Sequence, residues 1–208
     1  VADSGENILI LGIGNVLWAD EGFGVRCVET LQANWQMPAN VTVLDGGTQG
    51  LYLLPFVTEA KRLLVFDAID YGLEPGTVRV VEGDDVPRFM GAKKMSLHQT
   101  GFQEVLMSAL LVDALPESLV LIGVQPSELE DFGGSLRPEV RARMPEVLSL
   151  ALAKLREWGV DPQPLADART DDSPLELAAY EAGRPDAQSA CRIGDERFMP
   201  KAAPAGEC

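Results

Sequence analysis

Short apolar runs alternate along this chain with segments whose apolar residues recur at helical spacing. "NILILG" (7–12) is an apolar run ended by glycine, the pattern of a buried strand. In "DEGFGVRCVETLQANW" (20–35), Val25, Val28 and Leu31 share one helical face and acids stand near the start, which predicts a helix. "VTVLDGG" (41–47) is β-branched and ends in turn residues, so it predicts a second strand. "GLYLLPFVTEA" (50–60) predicts a short helix that Pro55 either starts or interrupts. Two further strands follow: the apolar "RLLVFDAI" (62–69) and "GTVRVVEG" (76–83), whose polar alternation places it nearer a sheet edge. "TGFQEVLMSALLVDAL" (100–115) predicts an amphipathic helix, and "SLVLIGVQP" (118–126) a strand stopped by proline. The span 137–159 predicts one long helix, bent at Pro145 and closed by Gly159.

Apolar strands alternating with helices indicate an α/β protein: a mainly parallel sheet with helices on both faces. In such sheets ligands meet the loops at the carboxyl ends of the strands. After Gly159 the pattern fades. Residues 160–208 hold six prolines and little sustained periodicity, with one short helix predicted in "SPLELAAYEAG" (173–183). The chain therefore divides into a domain over 1–160 and a Pro-rich extension over 161–208, laid on the domain or loose in solvent.

Composition narrows the functional classes. The 208 residues are 46% hydrophobic and 24% charged, enough for a sizeable core. Acids outnumber bases 32 to 17, for a net charge of −15. That balance argues against nucleic acid, whose phosphates need clustered Lys and Arg, and mildly favours a basic partner. Three scattered cysteines, Cys27, Cys191 and Cys208, make no disulfide framework or zinc knuckle, and a cytoplasmic setting is expected. The stretch "VADSGENILILG" lacks the basic and long apolar regions of a signal peptide, and no run approaches the length of a membrane span. No membrane insertion is expected.

Three places join a strand end to an ionisable residue: "GIGNVLWADEGFG" (12–24) with Asp20 and Glu21, "FDAID" (66–70) with Asp67 and Asp70, and the loop carrying His98, the chain's single histidine. Brought together by a doubly wound fold, Glu21, Asp67 and His98 would offer two carboxylates and an imidazole, a set suited to a borderline divalent cation with positions left open. Each has a plainer reading. Glu21 could serve a helix dipole, Asp67 a structural cap, and His98 the surface. Asp45 in "LDGGTQG" could simply turn the chain with its glycines. "GIGN" also begins a dinucleotide fingerprint, with Asp45 where a ribose-binding acid would stand. However, the third glycine falls at Leu17, and Trp18 and Asp20 occupy positions where a pyrophosphate needs bare amides. No G-x-S-x-G elbow is present.

Taken together and in order, "LGIGNVLWADEGFGVR", "LDGGTQG", "LLVFDAID", "PGTVRVVEGDDVP", "SLHQTGFQEVL" and "LIGVQP" resemble the [NiFe]-hydrogenase maturation endopeptidases of the uptake, membrane-bound hydrogenase type. The resemblance covers about residues 7–159. It implies a twisted five-stranded sheet between helices, and makes 1–160 the maturation protease domain. It implies an endopeptidase that removes a C-terminal peptide from the hydrogenase large-subunit precursor after nickel insertion. By motif, the nickel-contacting residues would be Glu21, Asp67 and His98, with His98 in the loop before a helix. The nickel would be presented by the substrate. Asp45 or Asp70 could act as general base. A chaperone that inspects the nickel without cutting remains the alternative reading.

Overall fold

A computed structural model describes residues 6–90, 97–169 and 173–184. In chain order the elements are β1 (Ile8–Ile13), a 3-10 turn (Ala19–Gly22), α1 (Phe23–Asn34), β2 (Trp35–Gln36) and β3 (Val41–Gly47). A second 3-10 turn (Gly50–Leu53) leads into α2 (Leu54–Glu59), then β4 (Arg62–Ala68), β5 (Val78–Glu82), α3 (Asp85–Met90) and α4 (Leu97–Leu111). β6 (Ser118–Val124), α5 (Pro138–Arg141), α6 (Met144–Glu157), β7 (Gln163–Pro164) and α7 (Leu177–Gly183) complete the described chain.

Five strands form one sheet in the order β3-β1-β4-β6-β5. All pairings are parallel except that of β5 with β6, at the edge. Every residue of β1 is buried, as expected of a strand covered on both sides. Because side chains alternate, each central strand feeds two cores. Ile8, Ile10, Leu64, Phe66, Val120 and Ile122 pack on one face with Val28 and Leu31 of α1 and Val147, Leu148 and Ala151 of α6. Leu9, Leu11, Leu63, Val65, Leu119 and Leu121 pack on the other with Val57 of α2 and Phe102, Val105 and Leu106 of α4. The chain leaves β1 toward β3 on one side and returns to β4 on the other. β1 and β4 therefore flank the topological switch point, where open α/β sheets bind ligands.

The predicted strands and α1 appear where the pattern put them, with three differences among the helices. The expected single helix over 137–159 is two, α5 and α6, separated at residues 142–143. Pro145 sits in the first turn of α6. There its missing N–H costs nothing, whereas inside a continuous helix its ring would clash with the preceding turn. Helix α4 begins at Leu97, so His98 lies in its first turn and not in a loop before it. Helix α3 went unread, although Asp85 and Pro87 are start signals. Gly159 closes α6 as expected, at φ +80 with the Val160 N–H donating to the Leu155 carbonyl at 2.9 Å.

Candidate active site at the carboxyl edge

Asp45 and Asp67 lie near the carboxyl ends of β3 and β4, and Glu21 lies in the 3-10 turn that follows β1. Gly12 of β1 stands in register with Asp45 of β3 on one side and Phe66 of β4 on the other. Asp67 is thus one position beyond the level of Asp45, across β1. Asp67 has no exposed surface. By strand alternation it shares the face of Leu63 and Val65, the side covered by α2 and α4. A carboxylate buried this completely needs hydrogen bonds or an opposing charge to be tolerated. Its field and burial together push the phenol of Tyr71 well above its ordinary pKa, burial being the larger cause.

Glu21 arrives at this edge because the loop after β1 folds back on itself. The Asn15 N–H donates to the Glu21 carbonyl at 3.2 Å, and the Glu21 N–H donates to the Trp18 carbonyl at 2.9 Å. Gly14, at φ +137, lies directly beneath: a Cβ there would stand 1.8 Å from the Glu21 carbonyl oxygen. Glu21 is half-buried in the 3-10 turn that enters α1. A Cβ on Gly24 would meet the carbonyl oxygens of Phe66 at 2.2 Å and Ile13 at 2.3 Å. A Cβ on Gly12 would meet the Gly24 carbonyl oxygen at 2.3 Å. The glycines that suggested a phosphate loop therefore let the start of α1 lie against the ends of β1 and β4. The amides of Gly14, Asn15, Leu17, Trp18, Asp20 and Glu21 all donate within the protein, which argues against the dinucleotide reading.

Helix α4, which carries His98, covers the other face of the sheet. Gly101, one turn further along α4, packs on Gly50: a Cβ on Gly101 would be 3.4 Å from the Gly50 Cα. Gly50 opens the 3-10 turn directly after β3, so the first turns of α4 lie over the carboxyl edge. The His98 side chain lies outside the described residues, and with it the expected three-way convergence on one ion. Asp45 is exposed at the end of β3, yet partial desolvation raises its pKa against the opposing effects of the Gly47 N–H and the Arg26 charge. Asp70 is differently employed. Its Oδ1 accepts from the Gly72 N–H at 2.8 Å and from Gln125 Nε2 at 3.0 Å, which fixes the turn after β4.

Known proteins decide the family. A family model described as hydrogenase maturation protease matches residues 25–154. The chain belongs to the hydrogenase maturation protease family. The hydrogenase expression/formation protein HupD of Rhodobacter capsulatus is 58% identical over 200 residues, 95% of each chain. HoxM of Cupriavidus necator, also described as a hydrogenase expression/formation protein, is 58% identical over 199 residues, 93% of this chain and 98% of its own. Among solved structures, the hydrogenase maturating endopeptidase HybD of Escherichia coli superposes with a TM-score of 0.72 at 39% identity, covering 76% of this chain and 97% of its own. The protein is accordingly a hydrogenase maturation endopeptidase.

The structural roles of two residues of this maturation protease escaped the sequence reading, although Asp20 itself was noted in the first motif. Asp20, beside Glu21, is fully buried and accepts three backbone N–H groups: Ser127 at 2.8 Å and Glu128 at 2.9 Å on Oδ2, and Arg137 at 2.7 Å on Oδ1. It anchors the loop after β6 to the Glu21 turn. Arg26 of α1 is 2% exposed; its Nη1 donates to Glu29 Oε2 at 2.8 Å and to the Leu175 carbonyl at 2.5 Å. Glu29 is a local partner at i+3, but no local pattern marks Leu175 or the three amides on Asp20, which lie more than a hundred residues away in the sequence.

Proposed function

We propose that this protease removes the C-terminal peptide of a [NiFe]-hydrogenase large-subunit precursor once nickel is in place. Glu21, Asp67 and His98 would contact the nickel held by the substrate. The observation carrying this reading is Asp67: a fully buried carboxylate at the end of β4, beside the Glu21 turn, at the switch point. Two carboxylates and one imidazole form a modest donor set with open positions and no thiolate. Such a set suits inspection of an ion presented by another protein better than permanent retention of one. Docking on the substrate's nickel would fix the scissile bond against the edge, where positioning alone contributes several kcal/mol, on the order of 7–11 at best.

Asp45 is the better general base of the two candidates. Its raised pKa makes its carboxylate more basic, while Asp70 is committed to holding a turn. The exposed apolar side chains Leu51 and Tyr52 beside the edge suit a protein substrate. No helix among the described residues is long and apolar enough to cross a membrane. A cytoplasmic site of action fits processing of a precursor as it is assembled.

Chelator-treated protease mixed with nickel-loaded and nickel-free precursor tests this reading. Shortening of the loaded precursor alone, seen on a gel, is expected. Equal cutting of both forms, or cutting that requires nickel restored to the protease, would refute recognition of substrate nickel. Binding without shortening would establish the checkpoint chaperone instead.

A further inference from the structure

The segment 173–184 is tied to the body of the protein by hydrogen bonds, an ion pair and a cation–ring contact. Arg26 donates to the Leu175 carbonyl and stacks against the Tyr180 ring, 5.6 Å from its centroid. The Tyr180 hydroxyl donates to the Gly134 carbonyl at 3.2 Å. Glu181 accepts from Ser135 Oγ at 2.7 Å and from Arg141 Nη1 at 2.8 and 2.9 Å. α7 itself buries no residue. This strap adds little to the core, so stability alone does not account for a buried arginine given over to it.

Its location is informative. Arg26 lies in the first turn of α1, five positions after Glu21, and its charge acts on both Asp45 and Glu176. Gly134 and Ser135, gripped by the strap, belong to the loop that Asp20 grips from the other side. The strap is therefore tied to the rim of the carboxyl edge. Around that rim it leaves Leu175 and Phe132 about half exposed. The E. coli endopeptidase is covered over 97% of its length by only 76% of this chain, so about a quarter of this chain has no counterpart in it. A match over 95% of this chain, as with HupD of R. capsulatus, spans the strap.

We propose that segment 173–184, latched by Arg26, is a substrate-selecting wall of the active-site rim, against which the body of the hydrogenase precursor docks. This rests on the precursor-processing reading above. The strap contributes affinity for the folded precursor and not chemistry.

Full-length variants test it in the precursor-cleavage assay. Glu181→Arg combined with Tyr180→Ala sets like charges against Arg141 and removes the ring contact without touching the core. Leu175→Asp alters the exposed rim alone. Each should raise KM for nickel-loaded precursor about tenfold while kcat stays within about twofold. In the Glu181→Arg single variant, adding Arg141→Glu should restore KM, because the ion pair is re-formed in reverse. Unchanged KM in both variants would reduce the strap to an inert appendage. A fall in kcat at constant KM would make it a support for catalysis, also overturning the proposal. Wild-type protein that cleaves no precursor at all would instead overturn the functional reading beneath it.

Discussion

The Arg137 N–H donates to Asp20 Oδ1 at 2.7 Å across 117 positions of sequence. With the Ser127 and Glu128 amides on its other oxygen, Asp20 replaces for that loop the hydrogen bonds a secondary structure would supply. Asp20→Ala would bury three unsatisfied donors. We expect it to cost about 3–5 kcal/mol and to lower Tm by roughly 10 °C in a chain of this size. The adjacent Glu21→Ala should leave Tm within about 2 °C, since Glu21 is half-buried, while precursor cleavage is lost. Thermal melts beside the cleavage assay separate the two acids.

Gly24→Ala should prevent stable folding. The new methyl would have to enter space held by the Phe66 and Ile13 carbonyl oxygens, both backbone atoms that cannot swing aside. The expected cost exceeds about 3 kcal/mol. Gly83→Ala provides the control. At φ +60 with nothing within 4 Å, it meets only the left-handed backbone penalty of about 1 kcal/mol. Soluble yield and denaturant midpoints for the two variants check the contrast.

The pH profile of cleavage should carry the mark of Asp45. Desolvation raises its pKa, so its proton is lost at a higher pH than that of an unperturbed aspartate. Activity that needs the ionised base falls as pH drops through that raised value, and the acid limb of kcat/KM should lie correspondingly high. Asp45→Asn should reduce kcat about 100- to 10,000-fold. Stability moves the other way. A carboxyl whose folded pKa is raised stabilises the native state fully below its unfolded pKa and loses that contribution as pH rises through the folded value. At neutral pH, therefore, Asp45→Asn should leave Tm unchanged or higher.

Cys27 should resist alkylation in the native protein. It is fully buried in α1, and burial pushes its thiol pKa well above the ordinary value, so little thiolate exists to react. Mass mapping after maleimide treatment should find the Cys27 peptide unmodified until denaturant is added. Rapid labelling without unfolding would mean that α1 opens locally.

Much of this fold can be read along the chain because its strands are buried on both faces. An apolar run such as Ile8–Ile13 or Leu63–Phe66 is tolerated only inside a covered sheet, and the intervening helical periodicity supplies the cover. The candidate site was legible for a related reason. Asp67 directly ends an apolar strand, and a charge there is costly enough to demand a purpose. The helix boundaries were less legible. Pro145 is compatible with either a bend or a fresh start, and only packing of α6 on the sheet selected the start. The helical pattern was read only from Thr100 onward, which left His98 outside it, whereas α4 begins at Leu97 and its Gly101 packs closely on Gly50.

By itself the sequence determined the alternation of strand and helix, the mainly parallel sheet and the acids at its strand ends, because hydrophobic period and the cost of buried charge are local properties. Tertiary structure decided which of these acids hold the fold together: Asp20 and Asp70. Asp20 and Glu21 are neighbours of the same chemical type, and no pattern singles out the one that is fully buried and clasps three distant amides. Nor does any pattern tie Arg26 to Leu175, 149 positions away, or turn a Pro-rich extension into a strap. Those assignments depend on which backbone groups the folded chain brings within hydrogen-bonding distance, and that geometry exists only once the sheet and its helices have packed.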